Sequence, residues 1–307
     1  MTEIKLTDDI VVTYKSPNPG FDPTDADNEA LEANGFPPRH DDPVLRKQQD
    51  EAFYKKYREF KYIVPSFKVN PHKYPGPRII DEATGTSKNW SGAEVFPASG
   101  QSIAIITGTW TVPTVSAGIG NATTYYCSSW VGIDGDDGSS DVCQAGVDTN
   151  YDTDTDTQTT HAWVEWDPLA SVQIPNFPVK AGDIVSVTIT TTGAGATSAN
   201  VYFVNWTALI HTSIPITAPN GTTLAGNCAE CIVERPTIDG ALSLLANYGS
   251  VEFTACVSTQ TNGTAVTLSD AIALPMSEDG QTVSTCTILN PASAECTYVG
   301  GTDDGSA

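Results

Sequence analysis

Between Asn89 and the C-terminus the sequence holds only two basic residues, Lys180 and Arg235, against 22 Asp and Glu. Such a surface offers nothing to a polyanion, so neither nucleic acid nor an anionic membrane is expected as a partner. No run of about 18 apolar residues exists to cross a bilayer, and the opening MTEIKLTDDI lacks the apolar stretch of a signal peptide. Nucleophilic machinery is equally scarce. G-x-S-x-G is missing, and the only histidines after residue 88 are His161 and His211, neither in a motif that would suit a Ser-His-Asp set. D-T-G and D-S-G are missing too, since Asp134-Gly135 is followed by Asp136, which argues against an aspartic dyad. Cys228-x-x-Cys231 is half of a zinc motif without a second Cys or His pair, so no metal and no cofactor is expected.

The charge that is present is segregated. Residues 1–88 carry 13 Lys and Arg and 15 Asp and Glu, so residues 89–307 account for about −20 of the net −22. This places a boundary near residue 88. Crowded carboxylates have raised pKa values in the folded state, so the stability gained by protonating them is full at low pH and declines as pH rises. An acidic working environment follows as an expectation. Within the first segment, residues 1–42 are rich in Pro, Gly, Asp and Asn and read as an irregular arm. Residues 43–62 place Leu45, Phe53, Tyr54, Tyr57 and Phe60 at near-helical spacing behind Pro43, which predicts the chain's one sizeable helix.

From Asn89 onward the pattern becomes period-two alternation rich in Val, Ile, Thr, Tyr and Trp, broken by Gly, Asn and Asp. Predicted strands lie in 102–113, 123–133, 161–168, 184–192, 200–207, 231–236 and 251–259. Their number and spacing predict an all-β domain, a sandwich of two antiparallel sheets, with no internal repeat that would suggest a propeller. Seven cysteines, and N-x-[S/T] sequons at Asn89, Asn121, Asn205, Asn220 and Asn262, favour a secreted, disulfide-bearing glycoprotein whose signal has been trimmed. Cys286 and Cys296 would suit a bridge across a hairpin. If their strands are neighbours, Cys143 and Cys231 would suit another.

Four strand segments place polar groups among aromatic neighbours: 130–134 (WVGID), 143–148 (CQAGVD), 163–166 (WVEW) and 229–236 (AECIVERP). Alternation puts Glu230, Ile232 and Glu234 on one face of a strand, opposite Cys231 and Val233. A carboxylate on an aromatic-lined face costs desolvation energy unless it is paired or used. Taken singly, Glu165 and Glu234 read as solvated strand residues and Trp130, Trp163 and Trp166 as core filling; their convergence points to a site. A carbohydrate-binding or glycoside-hydrolysing sandwich using Glu165 and Glu234 stands as the alternative, with two carboxyls about 5–9.5 Å apart.

Together these segments resemble the glutamic peptidases of fungi, the eqolisins. The likeness is carried, in family order, by NWSG at 89–92, GTWTVP at 108–113, WVGIDG at 130–135, QAGVD at 144–148, AWVEW at 162–166, AGDIVSVTI at 181–189, AECIVERP at 229–236 and VEFTACVS at 251–258. The resemblance implies a concanavalin-like sandwich with a cleft on its concave face, and an acid endopeptidase whose catalytic residues match Gln144 and Glu234, with Glu230 the neighbouring candidate. Trp130, Asp134 and Glu165 match the family's cleft residues. The family is made as proenzymes, which implies that residues 1–88 are an inhibitory pro-segment, with 43–75 covering the cleft and removal near Lys88. Protein or peptide substrates and the chain's own pro-segment are the expected partners of a monomer. His161 and Asp167 stand where family members usually have Asp and an aromatic residue.

Overall fold

A computed structural model of the chain describes residues 2–7, 10–40, 43–70, 73–74, 76–82, 85–136, 138–139, 141–278 and 280–300. The first segment contains β1 (Thr2–Lys5), β2 (Val11–Tyr14), α1 (Asn28–Ala33), α2 (Pro43–Ala52), a 3-10 turn (Tyr54–Glu59), β3 (Lys61–Tyr62), β4 (Lys68–Val69) and β5 (Lys73–Tyr74). Then come β6 (Trp90–Val95), β7 (Ile103–Thr111), β8 (Thr124–Tyr125), β9 (Ser128–Asp134), β10 (Val142–Asp152), β11 (Thr157–Trp166) and β12 (Val172–Gln173). The second half supplies β13 (Ile184–Thr190), β14 (Ser198–Asn205), β15 (Ile210–Thr217), β16 (Ala229–Glu234), β17 (Thr237–Ile238), β18 (Ala241–Leu242) and β19 (Ser250–Gln260). It closes with β20 (Ala265–Thr267), β21 (Ile272–Leu274), β22 (Met276–Glu278), β23 (Gln281–Asn290) and β24 (Ser293–Tyr298).

Two large sheets result. One runs β1-β2-β15-β14-β13-β7-β19-β24-β23-β22, and the other β21-β6-β16-β9-β10-β11-β12-β4. The alternation that predicted strands also sets their facing. Val185, Val187 and Ile189 of β13 turn inward against Val131, Ile133, Ala145, Val147 and Val164 of the second sheet, forming one continuous core. Gly108 on β7 sits where a Cβ would come within 2.6 Å of Val131, so its missing side chain lets the sheets approach. The Cys231–Cys256 disulfide joins β16 to β19 and so fastens one sheet to the other.

Four expectations are corrected. Residues 1–42 are no irregular arm: β1 and β2 extend the first sheet, and α1 is capped by the Asp27 carboxylate accepting from Ala30 N at 2.8 Å. The helix expected over 43–62 stops at Ala52, because Phe53, Tyr54 and Phe60 turn instead into an aromatic cluster with Phe36 and Trp206 of the sheet. Cys143 does not pair with Cys231. It lies opposite Ile133 of β9 while Cys231 lies opposite Val131, so a whole strand separates them, beyond the reach of a disulfide. Cys286 and Cys296 are cross-strand partners with their thiols in contact but unbonded.

The first segment is woven into both sheets. β3 adds to β15, in the parallel sense, and β4 extends the second sheet through β12. β5 pairs with β17 on the opposite side. Residues 68–69 thus pair beyond β12 at one end of the second sheet, while 73–74 pair with β17 and 76–79 lie against Asn89, Trp90 and Glu234. β9, β16 and most of β10 are buried at both inward-facing and outward-facing positions.

Candidate active site

The register of the second sheet turns four sequence segments into a grid. Glu230 faces Gly132, Gly132 faces Gln144, and Gln144 faces Glu165. The next row is Ile232, Trp130, Gly146 and Trp163, and the one after it Glu234, Ser128, Asp148 and His161. Paired residues in a sheet share a face and alternate residues return to it, so all twelve project from the side away from the core. Trp90, Trp130, Trp163, Ile232 and Leu274 form a separate apolar cluster there.

Gln144 and Glu234 lie on this face, two strands apart and on different rows. The indole of Trp130 lies between them, over positions that cannot carry a side chain. A Cβ at Gly132 would stand 2.7 Å from the Trp130 ring, and one at Gly146 2.4 Å from Trp130 Cβ. Glu234 is 1 % exposed and accepts from Trp130 Nε1 at 2.9 Å and Asn89 Nδ2 at 3.2 Å. Such donors favour the charged form of a buried carboxylate. Gln144 is fully buried and donates through Nε2 to Glu165 Oε2 at 3.3 Å, while its Oε1 is buried with no hydrogen-bond partner among the described residues. A buried amide oxygen without a partner marks a place for a polar guest.

The other expected residues divide. Trp130 and Glu165 touch the pair directly. Asp134 does not face the groove: its carboxylate accepts from the backbone N–H groups of Ala225, Gly226 and Asn227 at 2.6–3.0 Å, bracing the loop before β16. Glu165 is three strands from Glu234 and held by Gln144, so these two do not form the carboxyl pair a glycosidase requires. Glu230 shares the row of Gln144 but is turned toward Glu94 and Cys228.

Asn89 was read only as a sequon and a motif residue, yet it holds the carboxylate of Glu234. It is 2 % exposed, which leaves no room for a glycan, and Asn205 is likewise buried, bonded to Asp183 and to Pro178 O. Its position directly before the first strand of the face was the available signal.

The groove is occupied by the chain's own peptide. Trp90 Nε1 donates to Gly76 O at 3.0 Å, Asn89 Nδ2 to Pro77 O at 3.1 Å, and Ile79 N to Asn89 Oδ1 at 2.8 Å. Arg78 N donates to Gly135 O at 2.9 Å, and the Arg78 guanidinium pairs with Asp136 at 2.5 Å. Gly76 N points at Glu234 Oε1 from 3.4 Å. Residues 71, 72 and 75 of the stretch expected to cover the cleft lie outside the described residues.

Comparison with known proteins agrees with this geometry. The sequence profile of the Peptidase A4 family matches residues 88–298. Aspergillopepsin-2 of Aspergillus niger is 33% identical over 257 residues, covering 75% of this chain and 86% of that protein. Scytalidopepsin B of Scytalidium lignicola is 30% identical over 225 residues, covering 71% and 80%. The crystal structure of scytalido-glutamic peptidase with a transition state analog inhibitor superposes with a TM-score of 0.60 at 26% identity, covering 69% of this chain and 98% of that one. With its two-sheet fold, its peptide-filled groove and these relatives, the chain belongs to the Peptidase A4 (eqolisin) family of peptide-bond hydrolases.

Proposed function

We propose that this chain is an acid endopeptidase made as a zymogen, with Glu234 as general base and acid and Gln144 as the oxyanion donor. The observation that carries the reading is the strip from Gly76 to Ile79, whose main-chain groups are hydrogen-bonded by the side chains of Asn89 and Trp90 and by the carboxylate of Glu234. A groove that holds one peptide by its main chain accepts others of different sequence.

In this reading a water held by Glu234 gives up a proton to the carboxylate and attacks the scissile carbonyl. One N–H of Gln144 is engaged by Glu165, and the amide turns its other donor to the developing oxyanion, a contact worth roughly 3–4 kcal/mol in such sites. Protonated Glu234 then passes its proton to the leaving nitrogen. No nucleophilic side chain and no cofactor is needed. A Glu works in both directions near its ordinary pKa of about 4.3, which suits acidic medium.

Residues 1–88 block the groove, and their Lys and Arg side chains are held by the acidic core near neutral pH and released as its carboxylates protonate. Export belongs to the same proposal, supported by the Cys231–Cys256 disulfide and by exposed sequons at Asn121, Asn220 and Asn262.

The test is protein digestion at about pH 3.5, below the ordinary Glu pKa, by intact and by acid-processed chain with pepstatin present. The processed chain is expected to digest and the intact chain to lag behind it. Equal initial rates would remove the zymogen reading, and digestion by neither would remove the peptidase reading.

A further inference from the structure

One group of ionisable side chains is left unused by the reaction. Cys228, immediately before β16, and Glu230 on it are two residues apart and so share a face, and Glu94 of β6 is the register partner of Glu230. One ligating atom from each of the three lies within 4.8 Å of the others. All three are buried: Cys228 is unexposed, and Glu94 and Glu230 are each 1 % exposed.

Buried carboxylates ordinarily have donors. Here both oxygens of Glu230, and Oε1 of Glu94, lack a hydrogen bond of good geometry among the described residues, with only the Cys228 thiol approaching Glu230. Space is kept for them: a Cβ at Gly132 would stand 2.4 Å from Glu230 Oε1. Asp134 braces the loop that delivers Cys228 through its three backbone hydrogen bonds. The neighbouring cation, Arg78, is taken by Asp136 and belongs to the first segment. Desolvation by burial pushes the Glu94 carboxyl up to about 8, and both Glu230 and Cys228 above their ordinary values, as follows when negative groups are packed without a countercharge.

We propose that Glu94, Cys228 and Glu230 form a site for a thiophilic divalent cation of the zinc class, at the edge of the groove, with β9 between Glu230 and Gln144. One sulfur and two carboxylate donors suit Zn²⁺ and exclude Mg²⁺ or Ca²⁺, which take oxygen alone. Three protein ligands leave a fourth position for water. The Cys-x-x-Cys spacing is not itself the site, because Cys231 is committed to Cys256. The second donors come from a neighbouring strand and from between the cysteines, as carboxylates rather than as another cysteine pair.

The test uses the full chain, freed of metal with a chelator and kept oxidised at Cys231–Cys256. Cobalt(II) is titrated at about pH 7, where ligand protons can be displaced, and the thiolate-to-cobalt absorption in the near ultraviolet is recorded. The expected result is saturation at one cobalt per chain, displacement by zinc, loss of the band in Cys228→Ser, and at least tenfold weaker binding in Glu230→Gln. The near-isosteric Glu230→Gln chain serves if Cys228→Ser does not fold. A double Cys286→Ser, Cys296→Ser chain keeps the band. No thiolate absorption in the wild type, a band that survives Cys228→Ser, or undiminished affinity in Glu230→Gln overturns the proposal.

Discussion

At the scale of single residues the site is a matter of which polar atom has a partner. Glu234 is held by Trp130 and Asn89, whereas Gln144 keeps an unpartnered oxygen. Trp130→Phe preserves the ring but removes the N–H donor to the carboxylate. A hydrogen bond to a charged group contributes about 1.5–3 kcal/mol, so kcat/KM for a peptide, measured on folded chain, is expected to fall roughly ten- to a hundredfold. An unaltered kcat/KM would mean that this bond does not hold the working carboxylate. Gln144 and Glu234 were singled out by the segments that resemble the family's, and Glu165 by its place between Trp163 and Trp166; the structure sets all three on the outer face of the second sheet. Glu94 was not singled out: β6 is buried on both faces, so its polar residue stands in no contrast to its neighbours. Asp134 was assigned to the groove because it matches a cleft residue of the family its segment resembles, but nothing in that segment reveals the three N–H groups some 90 residues later that claim it.

At the scale of elements, the strands were readable and their partners were not. Period-two alternation located β7, β9, β11, β13, β14, β16 and β19. The disulfide joins β16 to β19, a pairing across the two sheets that no spacing along the chain discloses. β1, β2 and α1 escaped because short strands edged by Pro and Gly look irregular until a sheet edge accepts them. His211 of β15 lies where this segment packs on the sheet. Its ring is packed by Phe36 at 5.2 Å, Phe53 at 5.8 Å and Tyr62 at 5.4 Å, all from the first 62 residues. Burial lowers its pKa from 6.5 to about 4. The docked state thus disfavours the protonated ring. Its stability is full above pH 6.5 and lost as pH falls toward 4, by about 3 kcal/mol if undocking restores the ordinary value. His211→Phe is expected to keep the segment bound in acid and to slow activation at about pH 4 by tenfold or more, measured as the rate at which peptide-hydrolysing activity appears. Activation at the wild-type rate would show that His211 plays no part in release.

At the scale of the whole molecule, the charge division read from the sequence is not a division between sheets, since the acidic part supplies most strands of both and the part richer in cations adds strands at their edges. Asp167 beside Gly76 illustrates the pH response. Burial, and then the charge of Asp141, raise its pKa to about 7. The sign is opposite to that of a salt-bridged carboxylate: the folded state is unpenalised below about pH 4 and loses stability as pH rises toward 7. With partial exposure the loss is on the order of 2 kcal/mol. Asp167→Asn is therefore expected to melt several degrees higher than wild type at about pH 8 and at the same temperature at about pH 3.5; an equal difference at both values would contradict the assignment. The central claim is that Glu234 and Gln144 perform the hydrolysis. The most direct measurement is kcat/KM for one peptide at about pH 3.5 by acid-processed wild type, Glu234→Gln and Gln144→Ala, each shown to be folded. A loss of at least about a hundredfold in each variant is predicted, and activity within tenfold of wild type in either one would contradict the account.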